Sequence, residues 1–271
     1  MPGFSFSGPL GQGTWRMGEV PARRREEIAC LREGVERGLS LIDTAEMYGE
    51  GETEKLVGEA IAGLRERVFL VSKVYPHNAS GRALPQACEG SLRRLGVEAL
   101  DLYLLHWRGS VPLSDTVEAM ERMREAGKIH AWGVSNLDVE DLEELGPALA
   151  DCATDQVLLN LDHRGPEFDL LPLCKERGMQ VMAYSPVGQG GKLLRHPALT
   201  AIARARGLSP AQVALAWVLS RPGVMAIPKA GTRAHLLENI AALDVGLTDE
   251  ELEALDTAFP PPKRKRPLAM L

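Results

Sequence analysis

Asp43 closes the apolar run GLSLID (38–43), and Tyr48 follows it in the Gly-rich turn TAEMYGEGE. A carboxylate at the tip of a buried strand needs a partner, because an unpaired buried charge is costly. The next apolar run, VFLVSK (68–73), ends in Lys73, and the one after it, LDLYLLHW (100–107), carries His106 at its end. Lys73 is the expected partner of Asp43. Taken singly, each residue has a plainer reading: a turn aspartate, a rim tyrosine, a snorkelling lysine, a satisfied core histidine. An acid, a phenol, an amine and an imidazole arriving from three successive run ends read instead as one catalytic group for moving protons.

The elements that must position them are legible as a repeating pattern. Further apolar runs are AWGVSN (131–136), ATDQVLL (153–159), QVMAYS (180–185), VMAIPK (224–229) and a weaker ALDVGL (242–247). Amphipathic stretches such as RREEIACLREGVERG, ALPQACEGSLRRLG, SDTVEAMERMREAGK and LLPLCKERGM lie between them. Several close on Gly just past a basic last turn, a helix-stop signal. Continuous apolar strands alternating with helices imply a parallel sheet covered on both faces. About eight such units in 271 residues favour a single-domain (β/α)8 TIM barrel spanning 1–271, with a tail at 260–271. FSFSGPLGQGTW, which alternates around Gly and Pro, is expected to form a β-hairpin closing the barrel floor.

Other classes fit poorly. An open doubly wound sheet needs G-x-G-x-x-G after its first strand, and TAEMYGEGE does not supply it. VGQGGKLL lacks the Gly and the Ser or Thr of a phosphate loop, with Pro186 and Leu193 at those positions. Metal-dependent hydrolysis would want a His-x-His or carboxylate cluster at strand ends, so no metal is expected. A net charge of −6 argues against a nucleic-acid partner, and no run spans a bilayer. The four cysteines have no metal spacing and read as reduced thiols of a cytoplasmic protein. No signal peptide is visible. The basic run Lys263–Arg266 reads as a solvated tail.

The chain resembles the aldo-keto reductases along almost its whole length. The motifs that carry the likeness are GLSLIDTAEMYG, VFLVSKV, DLYLLHW, KIHAWGVSN, DQ at 155–156, VMAYSPVGQG and IPKAGTRAHLLEN, in that order. GQGTW, LIDTAEMY and IPKA resemble most the bacterial branch containing methylglyoxal and diketogluconate reductases. The resemblance implies a barrel that binds nicotinamide without a Rossmann fold, with Asp43, Tyr48, Lys73 and His106 as catalytic tetrad. Tyr48 would be general acid in carbonyl reduction. Its reference pKa near about 10 makes it a poor acid at neutral pH, and Lys73, held by Asp43, is expected to lower that value. His106 would orient the carbonyl oxygen.

By the same resemblance Ser135, Asn136 and Gln156 would bind the carboxamide, and Tyr184 would stack on the ring. Ser185, Pro186, Gly188, Gln189 and Gly190 would wrap the pyrophosphate. Glu238 and Asn239 would hold adenine, and Lys229, with Thr232 close by, would meet the 2′-phosphate. The adenine end departs from the pattern: Ala230 stands where a Ser is usual and His235 where an Arg is expected. Histidine cannot copy bidentate guanidinium contacts to phosphate. Lys229 still offers a point charge to the 2′-phosphate, with Thr232 and Arg233 close by in sequence, so NADP(H) is expected as preferred cofactor, with weaker discrimination against NAD(H).

Trp15, Met47, Tyr75 and Trp107 are the expected substrate pocket, and Arg108, Arg164 or His77 are candidates to meet an oxygenated substrate. The short stretch after Asp256 suggests an open pocket for small aldehydes or diketones, methylglyoxal foremost, in a monomeric enzyme. The alternative is a nicotinamide-binding regulatory or interaction subunit with little turnover.

Overall fold

Period-two alternation sorts each strand's side chains between two cores. On the strand Phe69–Val74, Val71 and Lys73 share one face, while Leu70 and Val74 share the other. Leu41, Val71, Leu102, Leu104, Met182, Met225 and Ile227 form a compact inner cluster, joined by Phe6. The opposite faces pack against helices in a much larger outer cluster, which includes Ile42, Leu70, Tyr103, Trp132, Val157 and Trp217.

The computed structural model describes Phe6 and residues 8–271. Its strands are β1 (Gln12–Gly13), β2 (Leu41–Asp43), β3 (Phe69–Val74), β4 (Leu100–Leu105), β5 (Ile129–Ser135), β6 (Thr154–Leu158), β7 (Gln180–Tyr184) and β8 (Val224–Ala226). They lie side by side in chain order, each parallel to the next. Parallel bridges Leu10↔Ala226 and Gly13↔Lys229 bring β8 back to the stretch that carries β1, so the sheet curls on itself.

The α-helices are α1 (Arg24–Glu36), α2 (Glu52–Ile61), α3 (Ala83–Leu95), α4 (Leu113–Glu125), α5 (Val139–Glu144), α6 (Leu170–Glu176), α7 (Pro197–Arg206), α8 (Pro210–Leu219), α9 (Arg233–Ala241) and α10 (Asp249–Ala258). Their ends follow local chemistry. Asp138, Ser209 and Thr248 each close a capping box at the start of α5, α8 and α10, satisfying backbone N–H groups that the helix leaves without partners. Gly96 ends α3 at φ 68°, a left-handed position that a Cβ disfavours.

One sequence expectation is corrected here. ALDVGL forms no strand: Ala242–Asp244 is a short 3-10 turn continuing from α9. The place beside β2 is taken instead by β1, two residues long, whose backbone and not its side chains makes the junction: Gly11 N–H donates to Ala226 O (2.8 Å) and Gly13 N–H to Pro228 O (3.1 Å). The expected hairpin over FSFSGPLGQGTW falls partly on residues 4, 5 and 7, outside those described, while its Gln12–Gly13 portion runs parallel to β2.

Candidate active site

Alternation brings Asp43, Lys73, Ser135, Gln156 and Tyr184 to the inner face where their strands end, and His106 follows one residue beyond β4. Lys73 is wholly buried and Asp43 nearly so. The Lys73 ammonium donates to Asp43 Oδ2 (2.8 Å), to the Thr44 carbonyl (2.8 Å) and to the Tyr48 hydroxyl (3.1 Å). Those three partners match the three N–H bonds of an ammonium. Asp43 Oδ1 accepts from Gln156 Nε2 at 2.7 Å. Both carboxylate oxygens are thus engaged, by Lys73 as the sequence leads one to expect and by the amide of Gln156 in addition. The Tyr48 and His106 rings meet edge to face, 5.8 Å between centroids.

The electrostatics follow from burial. Burial works against the charge on Lys73, but Asp43 and Tyr48 outweigh it and its pKa is raised, so it remains an ammonium. Burial pushes the Tyr48 phenol above its ordinary value, against the pull of Lys73. This corrects the expected lowering: the ammonium is in place, yet the loss of solvent around the phenol is the larger effect. Burial first, and then Lys73, drive the His106 imidazole well below its ordinary value, so it is neutral at physiological pH. His106 Nδ1 is buried with no hydrogen-bond partner among the described residues.

A second network borders the first. Asn136, at φ 59°, donates from Nδ2 to the His106 carbonyl (3.1 Å) and to Ser135 Oγ (3.0 Å), and accepts from the Tyr184 hydroxyl at Oδ1 (3.0 Å). Asparagine tolerates this left-handed backbone better than most residues. Ser135 Oγ in turn donates to the Gln156 carbonyl at 2.7 Å. Tyr184 is half-buried and its phenol is pushed up to about 12, mainly by burial. Beyond it the loop Ser185–Gly190 turns through positive φ at Ser185, Gly188, Gln189 and Gly190, and Pro186 is buried within it. Asn160 Nδ2 donates to the Ser185 carbonyl at 2.9 Å and steadies this strained corner. Asn160 was not singled out in the sequence; its one signal is a fully buried polar side chain just past β6.

The remaining expected positions are less tightly joined. Thr232 caps α9, its hydroxyl accepting from His235 N–H at 3.3 Å. Lys229 and His235 are exposed beside that helix start, and Glu238 and the buried Asn239 lie on α9 itself. Arg233 is turned away to Glu33 at 2.8 Å. Among the pocket residues, Trp107 lies tilted against His106 (4.9 Å) and meets Tyr75 edge to face (5.8 Å), while His77 stacks on Tyr75 (4.7 Å). Glu46 fixes Tyr75 by accepting its backbone N–H at 2.7 Å. Met47 leads into the turn that carries Tyr48. Trp15 is half-buried with the Arg16 guanidinium 4.3 Å over its ring. Arg108 and Arg164 are both spoken for. Arg108 binds Asp141 (2.9 Å) and Glu144 (2.8 Å). Arg164 binds Glu167 and Asp256 and is 6% exposed.

A groove of about 930 Å³ lies at the opposite end of the sheet, where β3, β4 and β5 begin, lined by Glu59, Arg65, Arg94, Asp101 and His130 among others. It mixes both signs of charge and holds none of the proton-handling residues, so the chemistry is assigned to the strand ends instead.

The residues present suit a nicotinamide dinucleotide. Asn136 and Gln156 set amide side chains near the ends of β5 and β6, Asn136 joined to the half-buried Tyr184 through its hydroxyl. The turn after Tyr184 takes positive φ at four of its six residues. The start of α9, with its free N–H groups and nearby Lys229, suits a phosphate.

Comparison with known proteins agrees. The family model described as "Aldo/keto reductase family" matches residues 9–259. Methylglyoxal reductase YeaE of Escherichia coli is 56% identical, covering 99% of this chain and 98% of that protein. Glyoxal reductase of Bacillus subtilis is 35% identical over 85% of this chain and 83% of its own length. A crystal structure of an aldo/keto reductase from Klebsiella pneumoniae, in complex with NADP and acetate, superposes with a TM-score of 0.95 at 53% identity, covering 97% of this chain and 95% of that one.

Proposed function

Because the chain belongs to the aldo/keto reductase family, we propose that it reduces small aldehydes and ketones with NADPH, methylglyoxal foremost, and that Tyr48 supplies the proton. The protein is an NAD(P)H-dependent oxidoreductase. The observation that carries the mechanism is the buried ammonium of Lys73, 2.8 Å from Asp43 and 3.1 Å from the Tyr48 hydroxyl. The substrate class rests on two relatives named for reducing small dicarbonyls. The preference for NADPH rests on Lys229 and the α9 start, and on the NADP of the Klebsiella structure. The same reading takes 1–271 as one domain and the curled sheet as a closed (β/α)8 barrel, supported by the bridges from β8 to the Leu10–Gly13 stretch. It also takes the protein as a cytoplasmic monomer without a nucleic-acid partner. No helix among the described residues is long and apolar enough to cross a membrane.

When bound, the reduced nicotinamide supplies the hydride that goes to the carbonyl carbon. Asn136, Gln156 and Tyr184 would hold its ring end, the Ser185–Gly190 turn its pyrophosphate, and Lys229, Thr232, His235, Glu238 and Asn239 its adenosine end. The chain's own work is on the oxygen. A neutral His106 has one N–H to give to the substrate oxygen and no positive charge of its own to compete with Lys73. Tyr48 stays protonated because burial raises it, so it arrives loaded with the proton that the oxygen needs. As that proton leaves, the phenolate forms 3.1 Å from an ammonium, which stabilises it where stabilisation lowers the barrel-mouth barrier. Asp43, fixed by Gln156, keeps that ammonium charged and aimed.

Tyr48→Phe tests the reading. NADPH oxidation with methylglyoxal should fall by about 10²–10⁴-fold, the range for a lost general acid, while NADPH still binds by fluorescence. Near-wild-type turnover in this variant would remove Tyr48 from the proton path.

A further inference from the structure

The outer face of β3 carries polar chemistry that the mechanism above does not use. Ser72 precedes Lys73 on that strand, so the two side chains leave it on opposite sides. Lys73 enters the inner core, while Ser72, wholly buried, turns toward the helices. Its hydroxyl donates to Glu54 Oε1 on α2 at 2.5 Å. Glu54 is also wholly buried, and its second oxygen accepts from Arg94 Nε on α3 at 2.6 Å. Arg94 is steadied in turn by Ser91, whose hydroxyl oxygen accepts from Nη2 at 3.2 Å.

A buried carboxylate is costly unless it is paired and hydrogen-bonded, and Glu54 meets both conditions. What the pairing joins is informative. The turn Tyr48–Gly51 runs straight into α2, so Glu54 lies on the helix that continues from Tyr48. Ser72 lies on the strand that carries Lys73. The Glu54–Ser72 bond therefore ties together, from outside the sheet, the same two elements that meet inside it at the Tyr48–Lys73 hydrogen bond of 3.1 Å. Arg94 also braces the turn directly. A Cβ on Gly51 would stand 2.6 Å from Arg94 Cδ, so the arginine stem runs hard against the turn's last residue, which adopts φ 92° and has no side chain to interpose.

We propose that Glu54 is a positioning residue for proton transfer: through Ser72 it ties the Tyr48 turn to β3 and so sets the hydroxyl–ammonium separation from the outer side of the sheet. Arg94 aims the Glu54 carboxylate, and neither residue touches the reacting atoms. The consequence is electrostatic. The ammonium stabilises the phenolate left on Tyr48 more strongly the closer it stands, so slack in the outer tie is felt in the rate of reaction and not in binding. The proposal rests on the reading that Tyr48 supplies the proton.

Ser72→Ala tests it, because that change cuts the tie and leaves the Glu54–Arg94 ion pair in place, whereas Glu54→Ala would strand Arg94 and endanger the fold. A misplacement of about 1 Å can cost about 10²-fold, so the single-turnover rate of NADPH oxidation at saturating methylglyoxal should fall about 10- to 100-fold in Ser72→Ala. The half-saturating methylglyoxal concentration, and NADPH affinity read by fluorescence titration, should stay at wild-type values. Ser72→Thr, which keeps a hydroxyl on the same carbon, should recover most of the rate. A crystal structure of cofactor-free Ser72→Ala should place the Tyr48 hydroxyl beyond about 3.5 Å from Lys73 Nζ, outside hydrogen-bond reach. A separation unchanged from wild type would overturn the positioning role whatever the rates do. Where Tyr48→Phe is inactive, an unchanged single-turnover rate in Ser72→Ala would overturn it equally, and a lowered Tm beside that rate would mark a bond that only holds the fold together. Tyr48→Phe judges the reading beneath separately. If that variant turns over like the wild type, Tyr48 is not the donor, while the crystallographic separation in Ser72→Ala still decides whether the tie sets the pair.

Discussion

Two buried titratable side chains, His106 and Asp155, have lost solvent without gaining a full set of partners, and each makes a pH prediction. His106 is neutral because burial and Lys73 both oppose its charge. Tyr48 is held above its ordinary value by burial. A reduction that needs protonated Tyr48 and neutral His106 should therefore show kcat/KM flat from about pH 6.5 to 9, falling only as Tyr48 loses its proton at higher pH. An inflection near the ordinary imidazole value of about 6.5 would contradict the neutral His106. Asp155 points the other way from Gln156, toward the helices, and neither carboxyl oxygen closes a hydrogen bond. Burial raises its pKa well above the ordinary value, with the Leu137 N–H pulling back. The folded state therefore binds a proton that the unfolded state releases, and stability declines as pH rises from about 4 toward that raised value. Asp155→Asn cannot ionise and so removes this proton linkage, while leaving a polar group of similar size in the same place. Its Tm relative to wild type should therefore be higher at pH 8 than at pH 4, read by thermal denaturation at both.

At the scale of elements, strand parity explains what the sequence made legible. Lys73 and His106 could be placed beside Asp43 because β3 and β4 are long apolar runs whose ends are unmistakable, and Tyr48 because the turn after β2 is short. What parity cannot reveal is contact between distant elements. Gln156 reaching Asp43 spans 113 positions, and Asn160 supporting Ser185 crosses from the end of β6 to the end of β7. The ion pairs of Lys265 with Asp138 and Asp169 were hidden for a different reason: a lysine in a basic run looks solvated until folding sets those carboxylates around it. The direction of the Tyr48 shift was also beyond sequence, since a motif names the charge beside a phenol but not the depth of its burial. The α9 start carries its own prediction. Thr232 caps it, Lys229 is exposed beside it, and Arg233 is diverted to Glu33, so the first turn lacks a free guanidinium. His235→Arg would supply one in that turn. Charge-assisted bidentate contacts contribute about 1.5–3 kcal/mol, so the ratio of kcat/KM for NADPH over NADH should rise about tenfold or more. An unchanged ratio would place the 2′-phosphate elsewhere.

At the scale of the whole molecule, the weakest-looking junction is the one that all the strand ends depend on. The β1 strand is only Gln12–Gly13, too short to announce itself by hydrophobic pattern, and ALDVGL, with its alternating apolar residues, looked the better strand. The difference is that this junction is made by backbone approach. A Cβ on Gly13 would stand 2.6 Å from the Ile227 carbonyl oxygen, closer than packed atoms allow. Ile227 N–H itself donates to the Ala183 carbonyl of β7 at 3.1 Å, so β8 has little room to withdraw. Gly13→Ala must therefore push β1 and β8 apart, and the displacement would pass to Asp43, which pairs with Gly13 across β1 and β2. Overpacking of this kind costs about 1–3 kcal/mol, which for a chain of this size lowers Tm by about 2–4 °C per kcal/mol. The expected outcome is a lowered Tm together with a loss of turnover larger than the loss of NADPH affinity, because Asp43 serves Lys73 and not the adenosine end. Thermal denaturation, steady-state rates and NADPH titration on the one variant separate these effects. A Gly13→Ala protein with wild-type Tm and kcat would mean that β1 and β8 are not closely joined there, and that Asp43 is held by its other neighbours.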